Sequence, residues 1–120
     1  MEPIKIKKAE LAPLLINIAS INPETGEIEK GLLVEEITLG TKRILGKIRK
    51  ALIVEYQEFE NQIKEVKKEC GEDKEKLQKE LEELYKEEVE ITVPRFKFEM
   101  IENVSSEQMY DFDLLEKIAE

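Results

Sequence analysis

Few residues in this chain could do covalent chemistry. There is no histidine, which removes the usual general base at neutral pH, the triads built on it and most zinc sites. The single thiol is Cys70. Lys67 and Lys68 favour a thiolate there and the carbonyl end of a helix opposes it, so Cys70 is expected as a small apolar filler. Asp111 and Asp113 form the one Asp-x-Asp pattern, but residues two apart on a helix point in different directions and do not share a metal. Glu82-Glu83 and Glu87-Glu88 read as solvated charge runs. Glu90, Glu99, Arg95 and Lys97 are residue types a metal nuclease uses. Without an accompanying aspartate motif they are expected in cross-strand or surface ion pairs. The five glycines are scattered singly, so no phosphate-cradling loop is present. The expectation is a protein that is not an enzyme, with no cofactor, no metal and no small-molecule substrate.

What remains is surface chemistry. Lys42, Arg43, Lys47, Arg49 and Lys50 form a basic cluster in which no aromatic is interleaved for base stacking. A solvated or acid-paired face, or a partner with an acidic surface, fits it better than nucleic acid. From Lys86 onward there are ten acids against four bases, so another copy of the chain could supply that acidic partner.

These charges begin a long amphipathic helix over 41–70. Leu45, Ile48, Leu52, Tyr56, Phe59, Ile63, Val66 and Cys70 recur at steps of three and four, the seam of a buried helix face. About thirty residues at roughly 1.5 Å each make a rod of about 45 Å, longer than the roughly 35 Å diameter of a compact domain of this size. Part of the rod must therefore be covered by another segment. Gly71 breaks the helix and Asp73 caps a second, within 73–90, with Leu77, Leu81 and Leu84 on one face. Folding back sets Val66 near Leu77, Ile63 near Leu81 and Phe59 near Leu84: an antiparallel helical hairpin.

Around it, Pro3–Lys7 alternates as a short strand. Ala9–Ile18 reads as a short helix that starts late or kinks at Pro13, burying Leu11, Leu14, Leu15 and Ile18. Asn22-Pro23 and Thr25-Gly26 mark a turn, with hairpin strands expected in 17–22 and 26–30. Residues 31–40 are an extended connector or an upstream extension of the long helix. Val89, Ile91 and Val93, then Phe96, Phe98 and Met100, alternate along a strand bent at Pro94 that should pair with Pro3–Lys7. Ser105–Gln108 fits a capping box for a last helix with Met109, Phe112, Leu115 and Ile118 on one stripe.

One domain is expected from 120 residues that are 41% hydrophobic, 39% charged and at net charge −9. That charge disfavours general affinity for nucleic acid or an anionic membrane. A single cysteine excludes an intramolecular disulfide, and neither a signal peptide nor a membrane span is visible.

The order of elements resembles that of a set of small uncharacterised bacteriophage proteins encoded among virion structural genes. The resemblance runs through Glu10-Leu11-Ala12-Pro13-Leu14, the basic helix start from Lys42-Arg43 to Arg49-Lys50, the long acidic hairpin, Lys86–Ile91, and Tyr110-Asp111 to Leu115. The turn over 21–31 is an insertion relative to that set. No catalytic residue is assigned there, so the resemblance implies a setting, host cytoplasm or virion, and no site residue.

The expected fold is α+β, a small antiparallel sheet with short helices and a protruding helical hairpin. The expected function is a non-enzymatic structural or assembly protein that self-associates or docks on other virion proteins. The candidate interface is Phe59, Ile63, Val66, Leu77 and Leu81 with Lys42, Arg43, Lys47, Arg49 and Lys50. The alternative is an acidic regulatory or inhibitory protein that occupies a basic site on a host or defence protein.

Overall fold

The computed structural model describes residues 3–35, 37–101 and 110–119. The fold is α+β. Strand β1 (Ile4–Lys7) leads through a 3-10 turn (Lys8–Glu10) into helix α1 (Leu11–Ile18), followed by the small hairpin β2 (Ser20–Ile21) and β3 (Ile28–Lys30). A 3-10 turn over Leu32–Val34 precedes the long helix α2 (Leu39–Cys70), which folds back as α3 (Lys74–Lys86) into strand β4 (Glu88–Ile91). A 3-10 turn (Phe98–Ile101), the one-turn helix α4 (Phe112–Leu115) and a last 3-10 turn (Glu116–Ile118) complete the described elements.

Helix α2 begins two residues before the expected start because Thr38 is its N-cap, its Oγ1 accepting the Thr41 N–H at 3.2 Å. The connector before it is thus neither fully extended nor a long helical extension. Thirty-two residues give α2 a length of about 48 Å, which accounts for the 49 Å long axis of the molecule. The radius of gyration is 16.1 Å, against about 14 Å for a compact chain of this length. The turn between the helices is made by Gly71 at φ +56° and ψ −120°, a conformation open to glycine that residues with a Cβ rarely adopt. Asp73 then caps α3, its Oδ1 accepting the Lys76 N–H at 3.1 Å.

β1 and β4 pair antiparallel with Ile4 opposite Ile91 and Ile6 opposite Val89. The same register sets Lys5 opposite Glu90 and Lys7 opposite Glu88, so the solvent edge alternates in charge. The strand does not continue to Met100 as the alternation suggested. It ends at Ile91, since Pro94 has no N–H for a ladder, and Phe98–Ile101 coil into a 3-10 turn. Phe96 instead bridges to Ala119, and Arg95 Nη1 donates to the Ala119 carbonyl at 3.1 Å. The β2–β3 hairpin is also shorter than expected. Asn17 stays in α1, its side-chain amide donating to the Pro13 carbonyl at 2.8 Å.

The core sits where β1, α1, the first half of α2 and the C-terminal turn meet. Ile4, Ile6, Leu11, Leu14, Ile18, Leu45, Ile48, Leu52, Phe96, Leu115 and Ile118 are all buried there. Tyr110 fastens the C-terminal segment, its hydroxyl donating to Glu35 Oε1 at 3.0 Å; burial, then that carboxylate, raises the phenol above its ordinary pKa. Asp111 is used in local capping. Its Oδ1 accepts the Leu114 N–H at 3.1 Å and its own N–H donates to Asn17 Oδ1 at 2.9 Å. Helix α4 thus starts at Phe112, and the Ser105–Gln108 capping box with Met109 lies outside the described residues.

Glu10 ties the 3-10 turn to the C-terminus. It accepts the Lys7 N–H at 3.0 Å and pairs with Lys117. Partial burial pulls this carboxyl upward, but the Lys117 ammonium and the Lys7 N–H outweigh it and hold the group below its ordinary value of 4.5. A lowered folded-state pKa stabilises the fold above the unfolded value, and that stability is lost as pH falls through the folded one. Glu10→Gln is therefore expected to cost about 1 kcal/mol or less at pH 7. Urea titrations at pH 7 and pH 3 check this, because the gap between variant and wild type should narrow as the pH falls.

Candidate interaction surface

The candidate surface is the α2–α3 arm and its root. At the root, Phe59 is 6% exposed and Leu84 9%. The Phe59 ring meets Tyr85 edge-on at 5.6 Å between centroids and Tyr56 at 6.4 Å. Lys8 fastens both helices to the body. Its Nζ donates to Gln62 Oε1 on α2 and to Glu87 Oε2 after α3, each at 2.7 Å, and its N–H donates to the Glu87 carbonyl at 2.8 Å. The Lys8 side chain is only 11% exposed, so this ion pair is partly shielded from solvent and salt. The hairpin is thus rooted as far out as Gln62.

Along the seam the expected interface residues divide. Phe59 is taken up within its own chain by Leu84 and Tyr85. Ile63 and Leu81 are half-buried against the core. Val66 and Leu77 are half-buried beyond it, toward the tip, where Cys70 is buried at the end of α2. The arm therefore carries an apolar row whose outer edge faces water.

The basic cluster also divides. Arg43, Lys47 and Lys50 are exposed, while Lys42 and Arg49 are half-buried on another side of α2. Among the described residues none of these five makes an ion pair within 4 Å, so the cluster is solvated rather than neutralised by the chain's own acids. Glu90 and Glu99 are exposed on separate elements, and Arg95 is engaged with Ala119.

Two features escape the sequence. An open apolar trough of about 300 Å³ lies between α1 and the arm, lined by Ala9, Ala12, Tyr56, Phe59, Ile63 and Tyr85. Two alanines facing three aromatics carry no periodic signal, because the residues come from four elements. The second feature is Val54, 62% exposed on the outward face of α2. Its position between Lys50 and Glu58 was readable, but only as a residue off the seam.

No described helix is long and apolar enough to cross a membrane. No family model, curated protein or solved structure matches this chain.

Proposed function

We propose that this chain is a non-enzymatic assembly protein that works by protein–protein contact through its two-helix arm. The observation that carries the reading is the rooted arm. Lys8, Phe59 and Leu84 hold it to the body, while Val66 and Leu77 stay half-open to water beyond the core. A helix pair with a half-covered apolar row is marginal alone and is completed by partner helices. The resemblance of its element order to small phage proteins from structural gene clusters suggests the setting, a bacteriophage particle or its assembly.

The test is affinity recovery of the tagged chain from infected cells. Virion structural proteins should come with it, and Val66→Lys with Leu77→Lys should lose them while the body stays folded. The acidic surface favours a second reading. Glu80, Glu82, Glu83, Glu88 and Glu90 are all exposed on α3 and β4, as an inhibitor occupying a basic site would need. Recovery of a host or defence protein in place of virion proteins would decide for that reading.

A further inference from the structure

The outward face of α2 carries a charge pattern that the fold does not use. Arg43, Lys47, Lys50, Val54, Glu58, Asn61 and Glu65 are all exposed. Counted from Val54, they lie at offsets of 4, 7 and 11 on either side. At about 100° per residue these offsets fall on one stripe, within about 40° of the valine. Cations occupy the stripe on the N-terminal side of Val54; carboxylates and one amide occupy it on the C-terminal side. Such a stripe is complementary to itself when reversed.

We propose that two copies of this chain dock antiparallel through this stripe, on a two-fold axis at Val54. Arg43 then faces Glu65 of the second copy, Lys47 faces Asn61, Lys50 faces Glu58, and the two valines meet. Symmetry repeats each contact, so four ion pairs flank one apolar centre along about 33 Å of helix. Lys68, the next residue on the stripe, falls against Gly40, which carries no charge. The register is selected by what a slip would do. Sliding by one heptad toward the tip sets Lys47 against Lys68 and Val54 against Asn61, which costs both the apolar contact and a like-charge pair.

The proposal rests on the assembly reading and names one surface for it. Single helix pairs with polar seams lie at the small end of interface sizes, so the association should be concentration- and salt-dependent. Light scattering at about 0.02 M salt should show the mass moving from 14.0 kDa toward twice that value as concentration rises. At about 0.5 M salt, where charges are screened within a few ångströms, the shift should be lost.

Charge exchange gives the decisive arm. Arg43→Glu with Lys50→Glu puts a carboxylate at all four ion-pairing positions of the stripe, and Glu58→Lys with Glu65→Lys puts a cation at all four. Neither variant should self-associate, and an equimolar mixture should form a heterodimer, because all four pairs are then opposite in sign. All four positions are exposed, and circular dichroism of each variant confirms the helix. A wild-type chain that stays at 14.0 kDa in both salts overturns the proposal. So does a mixture that remains monomeric, or an acidic variant that dimerises like wild type. A self-docking failure leaves recovery of virion proteins intact, and failure of that recovery leaves the heterodimer intact, so the two readings fall separately.

Discussion

Gly31→Ala is expected to abolish the native fold or to destabilise it by more than about 3 kcal/mol. Gly31 has φ +116°, in a region open essentially to glycine alone. A Cβ built there would lie 2.5 Å from the Ile18 carbonyl oxygen and 2.7 Å from Ala19 Cα. Both obstacles are backbone, held by the end of α1 and the start of β2, so no side-chain rotation relieves the clash. The consequence reaches beyond the turn. Gly31 leads directly into Leu32, fully buried, and the Leu32–Val34 turn delivers the chain to Thr38 and the start of α2. Displacing Gly31 moves the segment that seats the long helix against α1. Thermal unfolding followed by circular dichroism checks this. Gly26→Ala is the control for the clash: at φ +73° it also carries backbone strain, but a Cβ there meets nothing within 4 Å, so its cost should be the smaller one.

Phe59→Ala is expected to cost about 3–5 kcal/mol and to loosen the arm from the body. Phe59 is 6% exposed and packs in the core cluster with Leu84. Truncation leaves a void between α2 and α3, beside a trough already open to water. Part of the cost is specific to geometry, because the edge-on contact with Tyr85 is worth about 0.5–1.5 kcal/mol beyond burial. A double-mutant cycle with Tyr85→Leu, measured by chemical denaturation, separates the two contributions. If Phe59→Ala costs no more than an exposed substitution, the aromatic root does not hold the arm.

The arm was legible because one period dominates it. Leu45 through Cys70 repeat at three and four, Gly71 and Asp73 punctuate the return, and the resulting register brings Phe59 beside Leu84 and Tyr85. The β1–β4 pairing was legible for the same reason, from the alternation of Ile4 and Ile6 against Val89 and Ile91. Local pattern misled where a long-range contact decided the outcome. Phe96, Phe98 and Met100 alternate like a strand, yet among the described residues no strand pairs with them, and Phe96 bridges to Ala119 instead. Asp111 stood in the sequence only as half of an Asp-x-Asp pattern, and in the fold it is an exposed helix cap in contact with Asn17, ninety-four residues away.

The candidate surface was only half legible. The seam residues were identified by period, which cannot say how completely the return helix covers them. The stripe about Val54 was in plain sight but has meaning only once the structure shows every member of it exposed. The clamp by Lys8 could not have been read at all, since Gln62 and Glu87 are joined to it by folding alone.

Docking through the arm requires that it be held rigidly enough to present its faces to another protein. Native-state hydrogen exchange of the purified chain, resolved by residue, tests that most directly. Amides at Phe59, Gln62 and Leu84 should be protected nearly as strongly as those at Ile48 and Leu52, with protection declining toward Cys70 and Lys74 at the tip. Exchange at Phe59 and Leu84 at unfolded-chain rates, with the body still protected, would contradict it.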